Sequence, residues 1–311
     1  MAAGVSHRFV DVGGMRLHYA QAGPEDGPPI ILLHGFPEFW WSWRKQVPAL
    51  AATGLNVIAP DMRGYGRSDC PKGVSAYRLD RLVGDIIGVA DALGIRQFDL
   101  GGHDWGGIVA WAVAAFHPDR LRKLVILNAP HLGVVRGVIC RKPQQLLRSS
   151  YVGFFQLSHV PEAVLSAGNF RALQAMLAGT ARPDTFGTDD LARYKEQWAM
   201  PGRLTAMLNY YRALMRRSRR PLGPIKVPVR ILWGRQDQAL LPDLAEASLA
   251  QCRNGELLLH AGATHWLHLE EPKWVVDHIL DFVTIGPGGS TPAPPRSAAW
   301  PLPAAPRPRR S

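Results

Sequence analysis

Leu100-Gly101-Gly102-His103-Asp104-Trp105-Gly106-Gly107 is the stretch on which the fold turns. It joins an apolar run at 97–101 that reads as a buried strand to an apolar run at 105–116 that reads as a helix. Between them the spacing Gly102-x-Asp104-x-Gly106 is that of a nucleophile elbow, a strained turn that lifts its central side chain above the end of a sheet. Such a turn is crowded, so its flanks need residues without bulky side chains. Asp104 also stands at a helix N-terminus, where an anion is favoured. The ordinary alternative is an aspartate that only caps the helix.

The segments on either side repeat the strand–helix alternation. Residues 7–12 and 15–22 flank Gly13-Gly14 and read as a hairpin. Residues 29–33, 55–60 and 123–128 read as further buried strands, with helices at 41–52 and 77–93. The pattern resumes with a strand at 227–233, a helix near 244–252, a strand at 256–261 and a helix at 273–283. The expected class is therefore α/β: a mostly parallel central sheet covered by helices on both faces. Its functional residues belong at the C-terminal ends of the strands. Residues 133–222 carry helical patterns and no strand, which predicts a helical cap inserted into a core made of 1–132 and 223–285. The tail 286–311 holds eight prolines, three glycines and no acidic residue, a composition that builds no core and predicts disorder.

The 311 residues are 47% hydrophobic and 20% charged, a globular composition. The net charge of +11 is uneven: residues 133–222 contain 14 Lys/Arg against 5 Asp/Glu, the tail adds four arginines, and the rest is slightly acidic. The densest cluster is Arg216-Arg217-Ser218-Arg219-Arg220. It reads as a solvated helix end suited to the dipole, with attraction to anionic substrates or a membrane surface as the sharper reading. Charge confined to one insert and one tail does not argue for a nucleic-acid partner. No apolar run is long enough to span a bilayer, and residues 1–8 lack the apolar stretch expected of a signal peptide. Cys70, Cys140 and Cys252 form neither a disulfide framework nor a metal spacing. The expected setting is cytoplasmic, with no cofactor and no metal.

An aspartate at the elbow decides the chemistry. A carboxylate is a poor acyl nucleophile but can displace a leaving group at an sp³ carbon, leaving an alkyl ester on the enzyme. Water must then hydrolyse that ester, which needs a base and an oxyanion hole. His265 follows the strand at 256–261 and fits the base. Asp237, after the preceding strand, fits the carboxylate that orients it. The order nucleophile, acid, histidine matches that of an elbow fold. Asn128 is not acidic and cannot replace Asp237 as an anion. Leu33-His34-Gly35-Phe36-Pro37 follows the first long strand, so the backbone N–H groups of Phe36 and Trp105 are the expected oxyanion donors.

These motifs resemble the epoxide hydrolases of the α/β-hydrolase fold family over roughly residues 8–285. The resemblance is carried by His34-Gly35-Phe36-Pro37-Glu38-Phe39-Trp40, by Asp61-Met62-Arg63-Gly64-Tyr65-Gly66-Arg67-Ser68, and by the elbow. Ser150-Tyr151-Val152-Gly153-Phe154-Phe155-Gln156 and Leu208-Asn209-Tyr210-Tyr211-Arg212 look like the family's two cap-tyrosine segments. The resemblance implies an apolar epoxide and water as reactants, bound among Phe36, Trp105, Tyr151 and Tyr211; a homodimer is a separate expectation, which no motif carries. Opening the ring expels an alkoxide too basic to leave unaided, and phenols such as Tyr151 and Tyr211 can protonate it. Tyr210 is the neighbour that could take the place of Tyr211. Ser158-His159 departs from the family's pattern, which has a proline-containing turn there.

Other readings stay open. Haloalkane dehalogenases share the Asp-Trp pair but carry Asn or Gln after His-Gly, where Phe36 stands. Fluoroacetate dehalogenases carry arginine just beyond the nucleophile, where Trp105 and Ile108 stand. A serine esterase is excluded if Asp104 is the elbow residue. A non-catalytic small-ligand-binding protein on the same fold is the alternative of another class.

Overall fold

The computed structural model describes residues 4–216 and 221–284. The tail at 286–311 and most of the basic cluster at 216–220 lie outside the described residues. Eight strands form one sheet: β1 (Ser6–Val12), β2 (Met15–Ala22), β3 (Pro29–Leu33), β4 (Asn56–Pro60), β5 (Phe98–His103), β6 (Leu121–Leu127), β7 (Val229–Gly234) and β8 (Gly255–His260). Their order is β1-β2-β4-β3-β5-β6-β7-β8. The β1–β2 and β2–β4 pairs are antiparallel, and every later pair is parallel. Residues Ile30–Leu33, all of β4 and all of β5 are buried, so they read as unbroken apolar runs rather than alternating ones.

Helices cover both faces. α1 (Gln46–Ala51), α2 (Leu79–Ala92) and α3 (Trp105–Phe116) follow β3, β4 and β5. The stretch expected as one helix over 41–52 is split into a 3₁₀ turn, Trp40–Trp43, and α1. The helix expected from 77 starts at Leu79, because Val74–Tyr77 is a separate 3₁₀ turn and Arg78 is extended (ψ 147°). Between β6 and β7 the described chain holds helices and no strand: α4 (Leu132–Arg141), α5 (Pro143–Arg148), α6 (Ser150–Phe154), α7 (Val160–Thr180), α8 (Thr188–Trp198) and α9 (Arg203–Leu214). α7 is broken at 167–170, where Gly168, Asn169 and Phe170 take positive φ. After the insert come α10 (Pro242–Leu249), α11 (Leu267–Glu270) and α12 (Pro272–Thr284).

The insert is tied to the body by side chains. Trp198 Nε1 donates to the Pro37 carbonyl (2.7 Å), Arg44 pairs with Asp190 (2.6 Å), and the Tyr210 hydroxyl donates to the Arg63 carbonyl (2.8 Å). No helix among the described residues is long and apolar enough to cross a membrane.

Candidate active site

Asp104 sits between β5 and α3 with φ 49° and ψ −119°, a conformation that costs a non-glycine residue about 1–3 kcal/mol. The small flanks make it reachable. A Cβ on Gly102 would lie 2.4 Å from the Gly106 carbonyl oxygen, and one on Gly106 would lie 2.3 Å from that of Leu33. Neither position can hold a larger side chain without moving backbone. Gly35 is equally committed: its Cβ would meet that of Asp104 at 2.5 Å. Its bareness lets the loop after β3 close over the aspartate. The Phe36 N–H then donates to Asp104 Oδ1 at 2.8 Å.

The loops after β7 and β8 converge on the same point. A Cβ on Gly234 would strike the carbonyl oxygens of Thr264 (2.0 Å) and Ala263 (2.6 Å), so the two loops pass in backbone contact. His265 Nδ1 pairs with Asp237 Oδ2 at 2.7 Å, and its Nε2 stands 3.6 Å from Asp104 Oδ2. Asp237 is buried and fully engaged: Oδ1 accepts the Ala239 and Leu240 N–H groups (2.8 and 2.9 Å), and Oδ2 accepts Asn128 Nδ2 (2.8 Å). Burial pushes the Asp237 carboxyl up, but the His265 charge and these donors outweigh it and hold it below the usual carboxylate range. Burial opposes an imidazolium at His265, yet the negative charges of Asp237 and Asp104 raise its pKa well above 6.5.

A cavity of about 280 Å³ opens over Asp104, lined also by Phe36, Arg148, Tyr151, Met176, Thr180, Tyr211, Gln238, Ala239, His265 and Trp266. It is largely apolar, with Tyr151 and Tyr211 contributed by α6 and α9. Burial, together with neighbouring charge and phenol groups including Asp104, pushes both tyrosines up, so both stay protonated at neutral pH. Tyr210 points elsewhere: its hydroxyl is held by Arg63, and it lines a separate hollow with Trp105. The Trp105 ring, expected at the main cavity, packs edge-on against Tyr210 and Tyr211 (centroids 5.3 and 5.1 Å).

Several contributors were given no role from the sequence, Asn128 among them, since it was weighed there only as a substitute for Asp237. Asn128 takes φ 41°, accepts the Gly234 N–H (3.0 Å) and donates to Asp237, so it locks the β6 and β7 ends together. Its only signal was a polar residue at a strand's C-terminal end. His103 turns away from the cavity, its Nδ1 on Glu38 (3.0 Å) and its Nε2 on the His265 carbonyl (2.9 Å). Glu38, His103 and His268 bring ligand-type atoms within 4.8 Å of one another, all buried. Burial and the neighbouring His103 push His268 down to about 4. The insert also grips the His265 loop. Thr180 Oγ1 accepts Trp266 Nε1 (2.9 Å), while Glu270 accepts both Thr264 N–H (2.8 Å) and Arg182 N–H (2.9 Å).

Comparison with known proteins gives the family. The family model described as alpha/beta hydrolase fold matches residues 28–272. AB hydrolase superfamily protein YfhM of Bacillus subtilis is 44% identical over 281 residues, covering 90% of this chain and 98% of that protein. Epoxide hydrolase 2 of Caenorhabditis elegans is 36% identical over 284 residues, covering 89% and 80%. Among solved structures, an epoxide hydrolase of Bacillus megaterium in complex with an inhibitor superposes with TM-score 0.82 at 30% identity, covering 89% of this chain and 99% of that one.

Proposed function

The chain belongs to the α/β-hydrolase fold family and, within it, to the epoxide hydrolases, and from that membership we propose that it adds water to an epoxide by covalent catalysis at Asp104. Its reactants are an apolar epoxide and water, and its product is a vicinal diol. The observation that carries this reading is the placement of Asp104: one carboxylate oxygen rests on the Phe36 N–H, the other faces His265, and two phenols line the same cavity.

Oδ2 of Asp104 attacks an epoxide carbon, and the carbon–oxygen bond breaks as Tyr151 and Tyr211 hold the leaving oxygen and one gives up its proton. The ester that forms has no charge. His265 thereby loses one of the two anions that raise its pKa, while a tyrosinate with a raised pKa has appeared. Together these changes send a proton, through water, from imidazolium to tyrosinate. The neutral imidazole left behind, oriented by Asp237, takes a proton from the water that attacks Cγ of Asp104. The tetrahedral oxyanion derives from Oδ1 and keeps the Phe36 N–H as donor, with the Trp105 N–H as the second. Collapse expels the diol oxygen, which takes the carboxyl proton and restores the starting ions. The cap at 133–222 supplies both tyrosines and covers the cavity. Unpaired Cys70, Cys140 and Cys252, with Cys140 exposed, fit a reducing cytoplasm.

A single turnover in ¹⁸O-water tests the route. The ester pathway puts the label in the Asp104 carboxylate and leaves the first diol unlabelled. A labelled first diol overturns it. Chloro- and bromoalkanes run alongside test the dehalogenase alternative by halide release.

A further inference from the structure

The cavity over Asp104 is lined mainly by aromatic and apolar groups, and among the described residues Arg148 is the lining side chain with a permanent positive charge. No carboxylate of the described residues lies within salt-bridge distance of it. Arg148 is exposed at the cavity's edge, and its Nη1 donates to the Asp237 carbonyl at 2.7 Å, which tethers the guanidinium there. The helix that carries it is fixed too. Gln145, fully buried one turn earlier, donates to the Ala239 carbonyl (2.9 Å) and accepts the Leu241 N–H (2.9 Å). Arg148 thus stands at the Asp237 side of the cavity with most of its donors unspent.

Resting on the epoxide-hydrolase reading, we propose that Arg148 receives a carboxylate on the substrate, so that the preferred epoxides carry an acid group separated from the ring by an apolar spacer. A planar guanidinium with one donor anchored presents the others to a carboxylate in a fixed fork. A neutral apolar substrate would gain nothing from that charge, which water solvates at the exposed edge of the cavity. An anionic substrate would meet repulsion from Asp104 and Asp237, which Arg148 offsets, and the excess cationic charge of the surrounding insert favours its approach. Holding the acid at Arg148 also fixes how the epoxide lies over Asp104, and hence which ring carbon is attacked.

The test compares terminal epoxides of straight-chain acids, six to eleven carbons long, with their methyl esters on wild type, Arg148→Gln and Arg148→Lys. Wild type should prefer the acid at one or two chain lengths. Arg148→Gln should lose about 10–100-fold in kcat/KM on that acid, the scale of one charge-assisted hydrogen bond. On the ester it should lose less than about threefold, and its ratio of attack at the two ring carbons should shift for the acid alone. Arg148→Lys should recover part of the acid preference. Equal losses on acid and ester would mean that Arg148 only supports the Asp237 loop, and an unchanged acid rate would remove it from recognition; either overturns the proposal. If wild type forms no diol from any member, the hydrolase reading falls instead. Calorimetry with the saturated acids then decides the site: binding lost in Arg148→Gln supports it, and no binding to wild type overturns it.

Discussion

Asp104 and His265 face each other across 3.6 Å between Oδ2 and Nε2, longer than a hydrogen bond, while the imidazole is drawn to 2.7 Å from Asp237 on its other side. The imidazole is therefore held by Asp237 and only electrostatically coupled to Asp104. In the proposed mechanism that arrangement leaves Oδ2 free to attack carbon, and it makes the protonation of His265 depend on whether Asp104 carries charge.

His265→Ala should separate the two half-reactions. Ester formation should persist while its hydrolysis falls about 10²–10⁴-fold, the usual contribution of a general base. One equivalent of epoxide should be consumed, and the Asp104 peptide should gain the mass of the substrate. An unmodified peptide after incubation with an epoxide that wild type turns over would contradict the covalent route.

Asp104→Asn removes one of the two anions beside His265, so the imidazole should titrate at lower pH than in wild type, as followed by the His265 ring resonances. The sign carries over to stability. A histidine pKa raised by folding stabilises fully below the unfolded value near 6.5 and loses that contribution as pH rises through the folded value. Urea unfolding across neutral to alkaline pH should therefore show a narrower window of loss in Asp104→Asn than in wild type.

The neighbouring tyrosines should behave oppositely. Tyr211→Phe and Tyr151→Phe should each slow ester formation about 10–100-fold with little change in stability, since each removes a donor to the developing alkoxide. Tyr210→Phe removes the hydroxyl that holds the Arg63 carbonyl and should cost about 1–3 kcal/mol of stability with activity per folded molecule retained. Stopped-flow kinetics paired with denaturant melts separates the cases.

Asn128→Ala should lower stability by about 1–3 kcal/mol, because the buried Gly234 N–H and Asp237 Oδ2 each lose a partner. It should also slow ester hydrolysis more than ester formation, since in the proposed mechanism Asp237 orients the base rather than the nucleophile. Rapid-quench measurement of both steps checks the asymmetry.

The parts read most directly from sequence were those set by local rules. Asp104, Asp237 and His265 lie just past the ends of β5, β7 and β8, so strand order and turn chemistry alone bring them to one edge of the sheet. Element ends were less legible: the 41–52 helix and the start of α2 both gave way to 3₁₀ turns, because the apolar pattern continues through residues whose backbone does not. Least legible were contacts over long separations. Glu38 and His103 are 65 residues apart, and nothing in either segment announces the pair. The choice between Tyr210 and Tyr211 depended on helical phase within α9, fixed by what packs on it, and Arg148 faces the cavity because Gln145 is pinned to a loop nearly a hundred residues away.

The hydrogen bonds that join Thr180 and Arg182 to the Trp266–Glu270 segment set a limit on recombination between relatives. Exchanging the insert at its chain ends alone would replace the Thr180 hydroxyl that accepts Trp266 Nε1 and the Arg182 guanidinium that pairs with Glu271 (2.7 Å) and donates to the Glu270 carbonyl (2.8 Å), and so loosen the grip on the loop that bears His265. The heritable module is discontinuous: a donor's insert should travel with its own 264–271 segment, so breeding new substrate ranges from this scaffold means moving two pieces of chain together.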